Sequence, residues 1–463
     1  MNEKSSSDIL SSTKSICPVC LKRLSAVREK HGDDVYLVKK CFEHGEFKTI
    51  IWRGPLSFTS WKRPKKASSP QHTFTKSERG CPHDCGLCPS HGQHTCTALI
   101  EITTRCNLRC KVCFADAGSN TAADPSLDKI AFFYDRLMQA SGSCNVQLSG
   151  GEPTVRDDLA DIVRLGREKG FSFLQLNTNG IRLAEDEAYA KSLKDAGLSS
   201  VFLQFDGLSD EVHLALRGRA LSEIKEMAIV NCALAGLGVV LVPTIVPGVN
   251  TQELAGIIDY AARFSPTVRG VHFQPVSYFG RYPEPPLDSA RITLPEILMH
   301  IEEQTNGEIP AHLFSPPSCE HALCSFHANF LVQEDHSLKG ITSWQQNCCA
   351  ATEKKGKIPA AVVGREKSVS FTARQWSAPS ACKCTPAEVP ENEDELDFFL
   401  RRAKTHTFSI SGMAFQDAWN LDIERLQGCC IHVVSPEGNL IPFCAYNLTS
   451  SQGRGLHRAG GGQ

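Results

Sequence analysis

Three cysteines stand within eight residues in Cys106-Asn-Leu-Arg-Cys110-Lys-Val-Cys113. Thiolates are soft metal ligands, and a cubane iron–sulfur cluster normally takes four of them. Three on one loop leave one iron open to a small molecule. Closed zinc sites use a fourth ligand and usually paired CxxC spacing. A second set, Cys81, Cys85 and Cys88 with Cys96 further on, can occupy all four positions of a cluster. Gly80, Gly86 and Gly92 suit a loop wrapped tightly on metal. Zinc is the alternative there, with His91 and His94 as alternative ligands. A third set, Cys17, Cys20, Cys41 and His44, has the spacing of a zinc ribbon or rubredoxin-like knuckle that takes one zinc or iron. Cys319, Cys324, Cys429, Cys430 and Cys444 offer five thiols for a further four-place site, with the choice between Cys429 and Cys430 open. Cys348, Cys349, Cys382 and Cys384 read as free thiols or as a site of their own.

The elements that must hold these residues follow from the rest of the chain. With 463 residues, 41% hydrophobic and 22% charged, it can build packed cores, so a wholly disordered chain is excluded. A net charge of -2 gives no general attraction to nucleic acid. No apolar run is long enough for an ordinary spanning helix, and the polar start lacks a signal core, so a cytoplasmic location is expected. In such a reducing compartment, 21 cysteines read as metal ligands or catalytic groups rather than bridges.

Between residues 98 and 290, strand-like runs alternate with helical ones: LIEITT, NVQLSG, FLQLNTNG, SVFLQFDG, VVLVPTIV and GVHFQPVS. The strands read as apolar almost throughout, as parallel strands covered on both faces do. Each ends in a polar motif, where α/β folds place their sites. The expected division is a disordered tail (1–14), a metal-binding knuckle (15–60), a linker (61–79) whose basic run is solvated, an auxiliary iron–sulfur loop (80–97), the α/β barrel (98–290), a cysteine-containing extension (291–377), a second linker (378–394), a C-terminal auxiliary-cluster module (395–449) and a disordered tail (450–463). A knuckle this small needs a metal staple.

CxxxCxxC after the first barrel strand, followed by Ser149-Gly150-Gly151-Glu152-Pro153 after the second, resembles the radical S-adenosylmethionine (SAM) superfamily. The resemblance implies an α/β fold with a partial (β/α)6 barrel. It implies a cluster on Cys106, Cys110 and Cys113 whose open iron binds SAM, and one-electron cleavage of SAM to a 5′-deoxyadenosyl radical. It places Gly150 and Gly151 close to the methionine part of SAM, Glu152 on its ammonium and Val112 on its adenine. Asn177, Asn179, Gln204 and Asp206, at later strand ends, suit polar SAM or substrate atoms. The flanking motifs, CPVC…CFEHG, GCPHDCGLC, LQFDGL and IPFCAYN, are similar to one branch of that superfamily, which includes archaeal tetraether lipid synthase and dihydropterin methylase-like proteins. That likeness implies two auxiliary [4Fe–4S] clusters and a knuckle metal.

The function expected is a radical SAM transferase making C–C bonds or methylating an unactivated carbon, in lipid biosynthesis, on a lipid-like substrate. A pterin methylase or peptide-maturing enzyme is the alternative. Phe273, Tyr278, Phe279 and Tyr282, with Phe443 and Tyr446, are expected either to cap the barrel or to line an apolar tunnel. The expected partners are a small molecule or lipid, a low-potential flavodoxin or ferredoxin and, peripherally, a membrane. No nucleic acid is expected.

Overall fold

The computed structural model describes residues 8–118, 123–341, 358–379 and 395–458. Cys348, Cys349, Cys382 and Cys384 lie outside the described residues. Strands β1 (Asp8–Ile16), β2 (Arg23–His31), β3 (Asp34–Cys41) and β4 (Gly45–Trp52) form an antiparallel sheet in that order. The first strand therefore begins inside the stretch read as a tail. Its Ser/Thr/Lys-rich sequence carries no apolar pattern, and the backbone ladder to β2 holds it.

The larger sheet contains β5 (Thr97–Thr103), β6 (Asn145–Gly150), β7 (Leu174–Thr178), β8 (Ser200–Gln204), β9 (Gly238–Val242), the two-residue β10 (Thr244–Ile245) and β11 (Val268–Pro275). It also contains β12 (Ser325–Val332), β13 (Leu338–Gly340), β14 (Thr407–Met413), β15 (Ile431–Val434) and β16 (Leu440–Pro442). Its order is β13-β12-β14-β11-β9-β8-β7-β6-β5-β15-β16. The run from β5 to β14 is parallel throughout. Helices between consecutive strands give the partial (β/α)6 arc expected from the alternating pattern. The helix Leu127–Ser141 shows how the sequence sets their ends: the Ser126 side chain accepts from Lys129 N, and Gly142 at φ +63° stops it.

The strands are two-faced rather than apolar throughout. Val146, Leu148, Leu174, Leu176, Val201, Leu203, Val271 and Phe273 face the helices and form the main core. The alternate positions Gln147, Asn177, Gln204, His272, Gln274 and Ser411 line the lumen. Period-two alternation thus builds a dry outer face and a polar inner one.

Residues 395–449 are not a separate body. Their strand β14 is inserted between β11 and β12, and β15 pairs with β5 at the opposite end of the arc. The ribbon docks on this region. Arg28, side chain 8% exposed, pairs with Asp422, 4% exposed, and Lys39 Nζ donates to Ser15 Oγ at 2.9 Å and the Ala418 carbonyl at 3.0 Å. Half of the basic run in 61–79 is bound: Lys65 donates to the Ser318, Cys319 and Glu320 carbonyls and Arg63 to that of Pro316, while Lys62 and Lys66 are exposed as expected. Residues 450–458 are also tied down, through Arg458 on Glu101 and His457 on the Pro82 carbonyl. Among the described residues no helix is long and apolar enough to cross a membrane.

Candidate active site

A cavity of about 590 Å3 occupies the lumen. Cys106, Cys110, Val112 and Cys113 line it, with Gly150, Gly151, Glu152, Asn177, Asn179 and Gln204. The three cysteines are half-buried. Burial, and then Glu152 and the two other thiols, push Cys106 up to about 12. A bound cation would stabilise the Cys106 thiolate against that burial, and with Cys110 and Cys113 on the same loop and cavity wall the donor set fits an iron–sulfur cluster.

The two glycines line the cavity and also serve the packing of the turn itself. A Cβ on Gly150 would strike the Thr103 carbonyl, and one on Gly151 the Arg105 carbonyl. Gly150 also has φ +129°. Gly151 N donates to Thr103 O and Glu152 N to Arg105 O, both at 2.8 Å. The glycines therefore let the end of β6 lie directly on the segment that enters the cysteine loop. Glu152 is buried. Its Oε1 accepts from Thr154 N, Thr154 Oγ1 and Thr178 Oγ1, and its Oε2 from Asn179 N at 2.7 Å. Its carboxylate fastens the end of β6 to the end of β7, leaving little capacity beyond one more donor at Oε2.

Asp206 was expected at the ligand and lies behind the wall instead, fully buried. It accepts from Arg217 Nε and Nη2, each at 2.7 Å, and from Thr244 N. Arg217 is the lining residue, and sequence reading missed it. Burial alone would lower its pKa, and Asp206 more than offsets that. Its sequence signal was the arginine ending the helix Asp210–Arg217 directly after the QFDG strand end. Lys225 was missed too. It is fully buried, lowered to about 7 by burial, and donates to the Asn179 carbonyl at 2.6 Å and Gln204 Oε1 at 3.3 Å. Of the six expected aromatics, Phe279 and Phe443 line the cavity. Phe273 faces the outer core because it has the opposite strand parity to His272 and Gln274.

The remaining thiols are sorted differently from their order in the chain. Cys17, Cys20, Cys41 and His44 bring their ligand atoms within 4.8 Å of one another. The spacings of 4.0 Å (Cys20–Cys41), 3.6 Å (Cys17–His44) and 3.4 Å (Cys41–His44) suit a tetrahedral ion with bonds of about 2.0–2.3 Å. The His44 ring lowers the Cys41 thiol to about 6, as a ligand requires. Cys96 does not join Cys81, Cys85 and Cys88. It meets Cys319 and Cys430, all three buried and within 4.8 Å of one another. The β15–β5 ladder causes this: Ile431 pairs with Thr97, and Cys96 N donates to Cys430 O at 2.8 Å. Cys81 and Cys85 lie 4.0 Å apart, and Cys81, burial, Cys88 and Cys429 together raise the Cys85 thiol. Cys324 and Cys444 neighbour Cys429. The adjacent pair Cys429 and Cys430 is thus divided between two groups. His91 lines the small cavity of Cys81, Cys85 and Cys88, and since its Nε2 lies 2.8 Å from the Cys429 carbonyl oxygen and 3.3 Å from His432 Nε2, Nδ1 is the atom left to act as a ligand.

A parallel α/β arc with a three-cysteine loop hooked onto a Gly-Gly-Glu turn defines a class, and sequence relatives agree with it. Residues 100–261 match the Radical SAM superfamily and residues 9–53 the HMPTM N-terminal zinc ribbon domain. The chain belongs to the radical SAM superfamily and is a radical SAM enzyme, a class that uses a [4Fe–4S] cluster and SAM. Across 95% of its length it is 38% identical to the 7,8-dihydro-6-hydroxymethylpterin dimethyltransferase of Methanocaldococcus jannaschii, covering 94% of that protein, and it belongs to the same family. It is 33% identical to the GTP 3′,8-cyclase of Limosilactobacillus fermentum over 38% of this chain and 54% of the cyclase. The structure of Streptococcus suis SuiB bound to precursor peptide SuiA covers 47% of this chain and 46% of its own, at 13% identity and a TM-score of 0.39.

Proposed function

We propose that the enzyme methylates a pterin. The observation that carries this reading is a row of polar groups set in an otherwise largely apolar lumen: Gln147, Asn177, Gln204, His272, Gln274 and Ser411 present amide, imidazole and hydroxyl groups to a cavity of about 590 Å3. An apolar pocket with a few placed polar groups suits a flat heterocycle that stacks on its faces and hydrogen-bonds along its edges. The Asn177 Oδ1 atom is buried with no hydrogen-bond partner among the described residues, so it is an acceptor available to a ligand. The relative that acts on a dihydropterin supports the same choice. The lipid-like substrate remains a second reading, favoured by the aromatic group Phe114, Phe279, Phe415 and Phe443, whose rings lie 4.4–5.9 Å from Phe443.

Cys106, Cys110 and Cys113 would hold the cluster, which would supply the single electron needed for reductive cleavage of SAM. The chain's own residues do the positioning. Glu152 and Lys225 fix Asn179 from two sides, and Arg217, held by Asp206, presents a fixed positive charge beside Cys110 that suits the SAM carboxylate. Val112 and Phe114 border the same end and exclude water. We assign one ion to the knuckle and two auxiliary sites to the other thiols: one on Cys96, Cys319 and Cys430, and one drawn from Cys81, Cys85, Cys88, Cys324, Cys429 and Cys444. The electron donor is a low-potential flavodoxin or ferredoxin. The test is anaerobic turnover with SAM, reductant and 6-hydroxymethyl-7,8-dihydropterin. The reading expects pterin products heavier by one or two CH2 units together with 5′-deoxyadenosine. Methylated lipid from a total lipid extract, with no pterin product, would replace it by the lipid reading.

A further inference from the structure

The 2-amino-4-oxo edge of a pterin presents two parallel N–H donors, one from the ring N3 and one from the exocyclic amine. The partner that matches such a fork is a carboxylate, as in arginine–carboxylate pairing. Two carboxylates line the cavity, Glu152 and Glu320. Glu152 is occupied by the four donors that join the strand ends. Glu320 is placed differently. Its Oε1 accepts from Ser325 Oγ, which fixes the plane of the carboxyl group, and its Oε2 has the Cys430 thiol at 3.9 Å; burial raises the group against the pull of Ser325, Lys65 and its own backbone N–H. Lys65, the nearest ammonium, is spent on three backbone carbonyls, including that of Glu320 itself. Among the described residues no cation pairs with the Glu320 side chain. A carboxylate oxygen facing a cavity with one long thiol contact has a cost unless a ligand provides a stronger donor.

Building on the pterin reading, we infer that Glu320, oriented by Ser325, is the specificity residue that receives the amino-pyrimidinone edge of the substrate. The neighbouring strand β12 contributes His327 and Asn329 to the same wall. Burial holds the His327 ring neutral at about 4. A neutral imidazole beside the edge can donate or accept without repelling a heterocycle.

The test compares 6-hydroxymethylpterin with 6-hydroxymethyllumazine, which carries a 2-oxo group in place of the 2-amino group. Binding to the reconstituted full chain is read by fluorescence in the absence of reductant. The wild type should prefer the pterin by about 100-fold or more, because a lumazine oxygen would face the carboxylate. Glu320→Gln should weaken pterin binding by roughly 10–100-fold and shift the preference toward lumazine, since an amide N–H can meet the 2-oxo group. Ser325→Ala should produce a smaller change in the same direction, with iron content unchanged in both variants. An unchanged preference in Glu320→Gln overturns the inference while leaving the pterin reading intact. Loss of iron in that variant also overturns it, because the carboxylate then belongs to the Cys96–Cys319–Cys430 metal site. A wild type that binds neither compound overturns the pterin reading and the inference together.

Discussion

The Cys106–Cys113 loop and the Cys96–Cys319–Cys430 group use the same ligand chemistry and contribute to the wall of the same cavity, yet they are specified in different ways. The loop is local. Three thiols follow one strand, and the Gly-Gly-Glu turn of the next strand is hydrogen-bonded onto the segment that leads into it. The second group is assembled from three distant stretches, each just outside a strand: Cys96 before β5, Cys430 before β15, and Cys319 ahead of β12. Those strands stand at the two ends of the parallel arc. The group therefore reports closure of the sheet, while the loop reports only its first turn. The first should survive damage to the C-terminal region that destroys the second.

Several variants sharpen or break this contrast. The largest effect belongs to Gly151→Ala. Its Cβ would meet a backbone carbonyl that cannot swing aside, so the turn must leave the cysteine loop. Titration calorimetry on reconstituted protein should show SAM binding abolished, and wild-type affinity would mean that the hook is not needed. Next in size is the loss of one whole metal site. Cys96→Ala, Cys319→Ala and Cys430→Ala should each remove the same Mössbauer component, and Cys81→Ala should leave it in place. A Cys96 variant that matches the Cys81 variant would restore the grouping expected from chain order. Third, Arg217→Ala strands the buried Asp206 carboxylate, at a cost of about 3–5 kcal/mol. Denaturant midpoints would measure the stability loss and calorimetry a matching loss of SAM affinity.

The smallest effect is in acid. His91, His272, His321 and His327 are held by burial at about 4. Between about pH 6.5 and 4 the unfolded chain binds more protons than the native one, so stability falls as pH falls through that window and is indifferent to these groups above it. Replacing His327 with Gln should make the decline shallower by on the order of 2 kcal/mol, read from denaturant midpoints at successive pH values. A parallel decline in both proteins would show that His327 does not contribute.

The same contrast explains what could be read from the chain alone. The knuckle, the cysteine loop and the βα alternation rest on short spacings; the structure gathers the four knuckle ligands and builds the parallel arc, and the three loop cysteines line one cavity. The grouping of Cys96 depends on the Thr97–Ile431 register in a short parallel ladder, which no local pattern encodes. The polar lumen was hidden for another reason. NVQLSG, FLQLNTNG and GVHFQPVS look apolar by composition, and only their period-two placement of Gln, Asn and His shows the inner face. Asp206 was legible as a polar strand end, while its partner Arg217 sits a helix away. The C-terminal strands were missed as barrel members because β14 joins the arc after a long excursion in sequence.

One measurement bears most directly on the claim that the local loop, and not the assembled group, cleaves SAM. The triple variants Cys106→Ala/Cys110→Ala/Cys113→Ala and Cys96→Ala/Cys319→Ala/Cys430→Ala would be reconstituted side by side and given SAM and a strong reductant, and 5′-deoxyadenosine would be quantified. The account predicts none from the first variant, with much of its iron retained, and clear formation by the second. Formation by the first and none by the second would contradict it.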